Sequence, residues 1–114
     1  MLSKEDIPGS FEQLVLLAVL RMRDQAYGMT VRSELEKRTG QAVSLGAVYT
    51  TLERLEGKGY LSSRATTGGG EREGRAKRFF TVEKSGLEAL QRALDVLDRM
   101  RADLPVLKPF PVRA

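Results

Sequence analysis

Apolar positions change their spacing several times along the chain, and each change marks an element. From Leu14 to Leu20 the sequence reads LVLLAVL, apolar at every step, inside the run FEQLVLLAVLRMRD that no proline or glycine interrupts. Ser10 with Gln13 three residues on has the form of a capping box, which predicts a first helix over about 10–24. Apolar residues around its whole circumference require cover on both sides, more than one small domain readily supplies. Tyr27 and Gly28 break the pattern. MTVRSELEKRTG then sets Val31 and Leu35 one turn apart and ends on Gly40, which predicts a second helix with a C′ glycine. Ser44 offers an N-cap for a third helix. On it Leu45, Val48, Leu52 and Leu55 fall within an arc of about 80° and form the inward stripe.

Beyond the third helix the spacing shortens. GYLSSRATT and AKRFFTV are short runs rich in Tyr, Thr, Phe and Val, separated by GGGEREGR, and together predict a β-hairpin with a long flexible tip. Phe79 and Phe80 point to opposite faces of a strand, so one is expected in the core and the other against a neighbouring element. No GK[ST] follows Gly74 and no strand leads into a helix there, so the glycines do not form a phosphate-binding loop. From about Glu83 to Asp103 Leu87, Leu90, Leu94 and Leu97 recur at steps of three and four, and Ala89, Ala93, Val96, Met100 and Leu104 widen the band. Such a band exceeds what one terminal helix readily buries on its own domain, so a second copy of the chain is the natural cover, with packing on the parent domain as the competing reading. Leu87, Leu90, Leu94, Leu97 and Met100, facing Leu14 and Leu17 of the first helix, are the expected dimer interface. The ending LPVLKPFPVRA, with three prolines in its last ten residues, is expected to be an extended tail.

Composition narrows the function. A chain of 114 residues with 41% apolar and 30% charged residues fits one soluble globular domain. No apolar run approaches the roughly 18 residues of a membrane span. LVLLAVL follows Glu12 and lacks the basic flank and cleavage site of a signal peptide, so a cytoplasmic protein is expected. There is no Cys and no His, which removes disulfides, the usual zinc ligand sets, thiol nucleophiles and histidine bases. Neither an enzyme nor a bound metal or cofactor is expected. The net charge is +4, and residues 58–82 hold six basic side chains (Lys58, Arg64, Arg72, Arg75, Lys77, Arg78) against Glu71 and Glu73. All the excess charge therefore lies in this segment, as for contact with a polyanion, although a solvated loop would also carry charge.

The outward strip of the third helix points the same way. Opposite its inward stripe lie Ala47, Thr50, Arg54 and Lys58, with Glu53 and Glu56 to one side. Small residues, then hydroxyls, then a long cation suit a helix lying in a DNA major groove, where close approach, base edges and phosphates are met in turn. A plain solvent face is the competing reading. Two short helices joined by TGQAVS form the helix-turn-helix arrangement, which favours the first. Arg64, Arg72, Arg75, Lys77 and Arg78 would meet phosphates from the hairpin, the wing.

YGMTVRSELEKRTGQAVSLGAVYTTLERLEGKGYLSSR, followed by GRAKRFFTVEKSGLEAL, resembles the PadR family of bacterial transcriptional regulators over roughly residues 10–94. The most specific parts are Tyr27-Gly28, Gly46 with Tyr49, the exit LERLEGKGYL, and GRAKRFF followed by Gly86. Family members commonly carry proline where Leu45 and Thr50 stand, so operator preference is expected to differ from that of relatives. The resemblance implies a mainly α fold with a small β-hairpin: a winged helix-turn-helix domain over 1–82, a C-terminal dimerisation helix over 83–104 and the tail over 105–114. It also implies a homodimer on double-stranded DNA at an inverted-repeat operator, repressing transcription and released by a small hydrophobic effector. Ser44, Gly46, Ala47, Tyr49, Thr50, Thr51 and Arg54 would form the recognition surface, with no membrane partner. A winged helix that binds another protein instead would call for an uncharged wing and an apolar or acidic strip on the third helix, and the chain has neither.

Overall fold

The computed structural model describes residues 7–66 and 77–107, and its first helix, α1 (Ser10–Met22), is capped one residue earlier than predicted. Gly9 is the N-cap; its N–H donates to Oε1 of Glu12 at 3.1 Å, while Gln13 Nε2 donates to the carbonyl of Pro8 at 2.8 Å. Ser10 is thereby the first helical residue, where a hydroxyl has no cap to make. The helix stops at Met22, and Arg23–Gln25 form a single 3-10 turn that opens with Arg23 at φ 55°. Gly28, read as part of the break between the first two helices, begins the second one, a residue ahead of the predicted Met29: α2 (Gly28–Thr39) has Tyr27 as N-cap, with Thr30 Oγ1 accepting the Tyr27 N–H at 3.0 Å. It ends at Gly40, as expected. In α3 (Leu45–Gly57) Ser44 caps as predicted, its Oγ accepting the Ala47 N–H at 3.0 Å.

The core forms where these helices meet. Val15, Leu16 and Val19 of α1, Val31 and Leu35 of α2, and Val48, Leu52 and Leu55 of α3 are buried together. Leu14 and Leu20 are left exposed on α1. Helix α3 closes in a left-handed turn: Gly59 has φ 81°, its N–H reaches the Glu56 carbonyl at 2.9 Å, and the Tyr60 N–H reaches that of Leu55 at 3.0 Å. Glycine is favoured there because a Cβ would crowd the left-handed backbone. Strands β1 (Leu61–Thr66) and β2 (Lys77–Val82) pair antiparallel, from Leu61 opposite Val82 to Thr66 opposite Lys77. The N–H of Phe80 also donates to the carbonyl of Ala26 at 2.8 Å, tying the hairpin to the segment between α1 and α2. Phe80 enters the core, and Phe79, on the other face, meets the Tyr27 ring edge-on at 5.2 Å.

The last helix, α4 (Lys84–Arg101), is seated on the turn that ends α3. The Glu83 N–H donates to the Tyr60 carbonyl at 2.9 Å, Ser85 Oγ donates to the Gly59 carbonyl at 2.7 Å, and Ser62 Oγ donates to the Glu83 carboxylate. Gly86 lies so close that a Cβ on it would stand 2.3 Å from the Tyr60 oxygen. Leu90, expected at the dimer seam, is instead 4% exposed within the chain's own core, because the first half of α4 packs on the domain. The second half leaves it: Leu97 is 52% and Met100 74% exposed. A radius of gyration of 16.0 Å, against about 13 Å for a compact chain of this length, reflects that extension. The helix ends at Arg101, earlier than the predicted Asp103, which sits at φ 61° ahead of Pro105. Residues 104–107 form a turn closed by the Leu107 N–H on the Leu104 carbonyl at 3.1 Å where an extended tail is expected. The predicted hairpin tip with Arg72 and Arg75, and the rest of the tail, lie outside the described residues.

Two measurements follow from these joints. Gly86→Ala drives a methyl into a backbone carbonyl that cannot swing away, so it should lower unfolding stability by about 1–3 kcal/mol in chemical denaturation; an unchanged midpoint would contradict the close seat of α4. Glu34 accepts from Arg38 Nε and Arg21 Nε, each at 2.9 Å. The Arg38 and Arg21 hydrogen bonds hold its carboxyl below the ordinary value of 4.5. A depressed carboxyl adds stability above that value and loses it as pH falls through its lowered folded value. Glu34→Gln should therefore flatten the loss of stability between about pH 5 and pH 3, read from denaturation midpoints.

Candidate nucleic-acid interface

The angle of α3 is set before any side chain meets a ligand, because α2 grips the turn that leads into it. Arg32 Nε donates to the carbonyl of Val43 at 2.8 Å, and Glu36 Oε2 accepts the N–H of the same residue at 2.8 Å. Both backbone groups of one turn residue are thus held by two side chains a helical turn apart, themselves paired at 3.6 Å. The sequence carries a signal of this, though it is easily passed over. A cation placed N-terminal to its acid is the weaker order for an isolated helix pair, which suits groups turned toward something else.

Tyr49, placed by sequence on the DNA surface, has a second role. Its ring lies across the start of α2, where a Cβ on Gly28 would stand 2.4 Å from Cζ. Gly28 is thus the opening into which Tyr49 fits, and Tyr49 is both an exposed residue and a spacer between the two helices. Gly46, Ala47, Thr50 and Arg54 face outward as expected. Ser44 is exposed too, with its oxygen engaged in the cap. Thr51 is a correction: it is 4% exposed and lies inside. At 100° per residue it falls about 40° from Leu55, on the buried side of α3.

Arg54 is not a free cation. Its Nη1 stands 3.7 Å from Oε2 of Glu12, and Lys58 Nζ lies 3.2 and 3.3 Å from the two oxygens of the same carboxylate. The pairing of Glu12 with these cations is not legible in the sequence, because they lie more than forty positions away.

Strand register divides the wing's cations between two faces. Arg64 stands opposite Phe79 with its guanidinium 5.0 Å from the ring centre, and Lys77 Nζ lies 4.7 Å from that of Tyr27. These two belong to the face turned toward Tyr27. Arg78 is on the other face: its Nη1 donates to Ser63 Oγ at 2.8 Å, and that hydroxyl donates to Glu56 Oε2 of α3 at 2.7 Å. Arg78 is thereby joined, through Ser63, to the recognition helix.

The apolar surface is divided as well. Leu87, Leu97 and Met100 are exposed along α4, whereas Leu94 and Leu17 are half-buried against the core. Leu14 opens onto a groove of about 320 Å³ that it shares with Phe11, Leu35, Val43 and Ala47. Among the described residues, no helix is long and apolar enough to cross a membrane.

Comparison with known proteins bears on the family and the fold. The model of the transcriptional regulator PadR-like family matches residues 16–92. A PadR-like transcriptional regulator from Bacillus cereus is 20% identical, with 79% of this chain and 82% of that one covered at a TM-score of 0.61. A PadR family transcriptional regulator from Eggerthella lenta is 22% identical over 81% of this chain and 84% of its own, at 0.58. A transcriptional regulator from Clostridium thermocellum is 16% identical over 79% and 84%, at 0.65. At these identities the likeness speaks for the fold alone. No curated protein sequence matches the chain.

Proposed function

The chain belongs to the PadR-like family of transcriptional regulators, and from that footing we propose that it is a cytoplasmic homodimer that binds an inverted-repeat operator, represses transcription, and is released by a small hydrophobic molecule. The family is one of DNA-binding regulators rather than enzymes. The observation that carries the reading is the outer face of α3, where Gly46, Ala47 and Thr50 leave room for close approach and Arg54 brings charge beyond them, while Arg78 of the wing is tethered through Ser63 to Glu56 on the flank of the same helix. Low bulk in the first half of a helix with cations toward its C-terminal end matches what base edges and flanking phosphates require.

The dimer rests on α4. Leu87, Leu97 and Met100 are apolar and exposed on a helix whose other face is already packed, and a second copy would cover them at the least cost in new surface. Two recognition helices brought to one side of a dimer would read half-sites about one turn of DNA, or a multiple of it, apart. An effector held among these leucines and methionines would bind through apolar area. No aromatic residue lies between positions 81 and 109, so a planar cation would find nothing to stack on there.

Two experiments test the proposal. Arg78→Ala should weaken operator and random duplex alike and make the dependence of log affinity on log salt shallower by about one unit in fluorescence titrations. An unchanged slope would remove Arg78 from the interface, and no duplex binding by the parent protein would favour a protein-binding winged helix. Light scattering should give twice the 12.7 kDa chain mass for the parent protein and the single mass for Leu97→Asp, which places a charge in an apolar contact. A monomeric parent at micromolar concentration would contradict the dimer.

A further inference from the structure

The hairpin carries a pair of aromatic rings on its outer side, each with a cation against it. Phe80 turns into the core, so Phe79 and its cross-strand neighbour Arg64 lie on the opposite face of the two strands. The Phe79 ring is itself held, because Tyr27 meets it edge-on at 5.2 Å and the Phe80 N–H ties the strand to Ala26. Over the two rings stand the Arg64 guanidinium, 5.0 Å from the Phe79 centre, and Lys77 Nζ, 4.7 Å from that of Tyr27. This face runs on toward α3. Tyr27 is the N-cap of α2, and the exposed ring of Tyr49 lies across the next residue, Gly28.

From this geometry, and resting on the DNA-binding reading, we infer that Phe79 is a positioning residue whose ring holds Arg64 in place for a backbone phosphate flanking the α3 face. The arginines of this surface are held by different means. Arg54 is drawn to the Glu12 carboxylate, and one nitrogen of Arg78 is committed to Ser63. A ring attracts the charge of a guanidinium to its face and takes none of the fork of N–H donors that a phosphate uses, so Arg64 can meet two phosphate oxygens without leaving Phe79. An arginine on a bare strand surface loses its rotamer freedom when it binds, whereas one seated on a ring has lost much of it on folding. The ring therefore strengthens the phosphate contact, and it does so on any duplex sequence, because phosphates carry no base identity.

The test titrates the full chain and its variants with a duplex of random sequence. Phe79→Leu, which keeps apolar bulk and every charge, should weaken binding by about threefold or more, and Phe79→Tyr, which keeps the ring, should restore the parent affinity. Arg64→Ala should weaken binding at least as much and make the salt slope shallower by about one unit. In the Arg64→Ala background Phe79→Leu should have no further effect, whereas a ring that served only to hold the hairpin together would cost the same with or without Arg64. Thermal melting checks folding. Trifluorophenylalanine at position 79, which keeps the shape of the ring while drawing negative charge from its face, decides the matter where the leucine variant does not fold, and should weaken binding by about twofold or more. Parent affinity in a folded variant that lacks the electron-rich ring, or equal losses with and without Arg64, overturns the inference while leaving DNA binding intact. A parent protein that binds no duplex overturns both.

Discussion

The left-handed turn at Lys58–Gly59–Tyr60 joins the parts of the molecule that have to act together. Its N–H groups close α3, and its carbonyls at Gly59 and Tyr60 receive Ser85 and Glu83 at the start of α4. Gly86 lets the helix approach the Tyr60 oxygen without an intervening methyl. One three-residue turn thus fixes the end of the outward-facing helix, the beginning of the hairpin and the direction of the exposed apolar arm. In a dimer built on that arm, the spacing and tilt of the two α3 helices would follow from the geometry of this turn.

Around it, polar side chains do the positioning and leave few cations idle. Arg32 and Glu36 lock Val43, Tyr49 fills the opening at Gly28, and Arg78 is tied through Ser63 to Glu56. Arg54 and Lys58 share Glu12. Among the described residues no buried side-chain nitrogen or oxygen lacks a partner, so the scaffold under α3 is satisfied before any ligand arrives. What α3 offers to a groove is mainly low bulk and a fixed angle, with charge supplied by side chains already held in place.

The sequence carried the periodic part of this structure. Helices α2, α3 and α4, the hairpin, the Ser44 cap and the Gly40 stop all follow from spacing and capping chemistry, which are local. Errors arose where a second element decides. Ser10 is the exception, a local misreading, since Gly9 and Glu12 three residues on make the capping contact instead. Gly28 looked like a breaker because nothing local shows that the Tyr49 ring needs the space. Leu90 belongs to the same stripe as Leu97, but periodicity cannot say how far along a helix its own domain extends. Thr51 was placed outward by its chemistry although its angular position lies beside Leu55. The Glu12 junction was invisible for the same reason: a lone acid acquires meaning only when its long-range partners are in view.

Presentation of the α3 outer face to DNA is tested most directly by following backbone amide resonances of the labelled protein as a selected duplex is added. The largest shifts should fall on Gly46, Ala47, Thr50 and Arg54 and on Arg78 of the wing, with little change at the buried Thr51 and along the second half of α4. Shifts confined to α4, or an α3 that does not respond to saturating duplex, would contradict it.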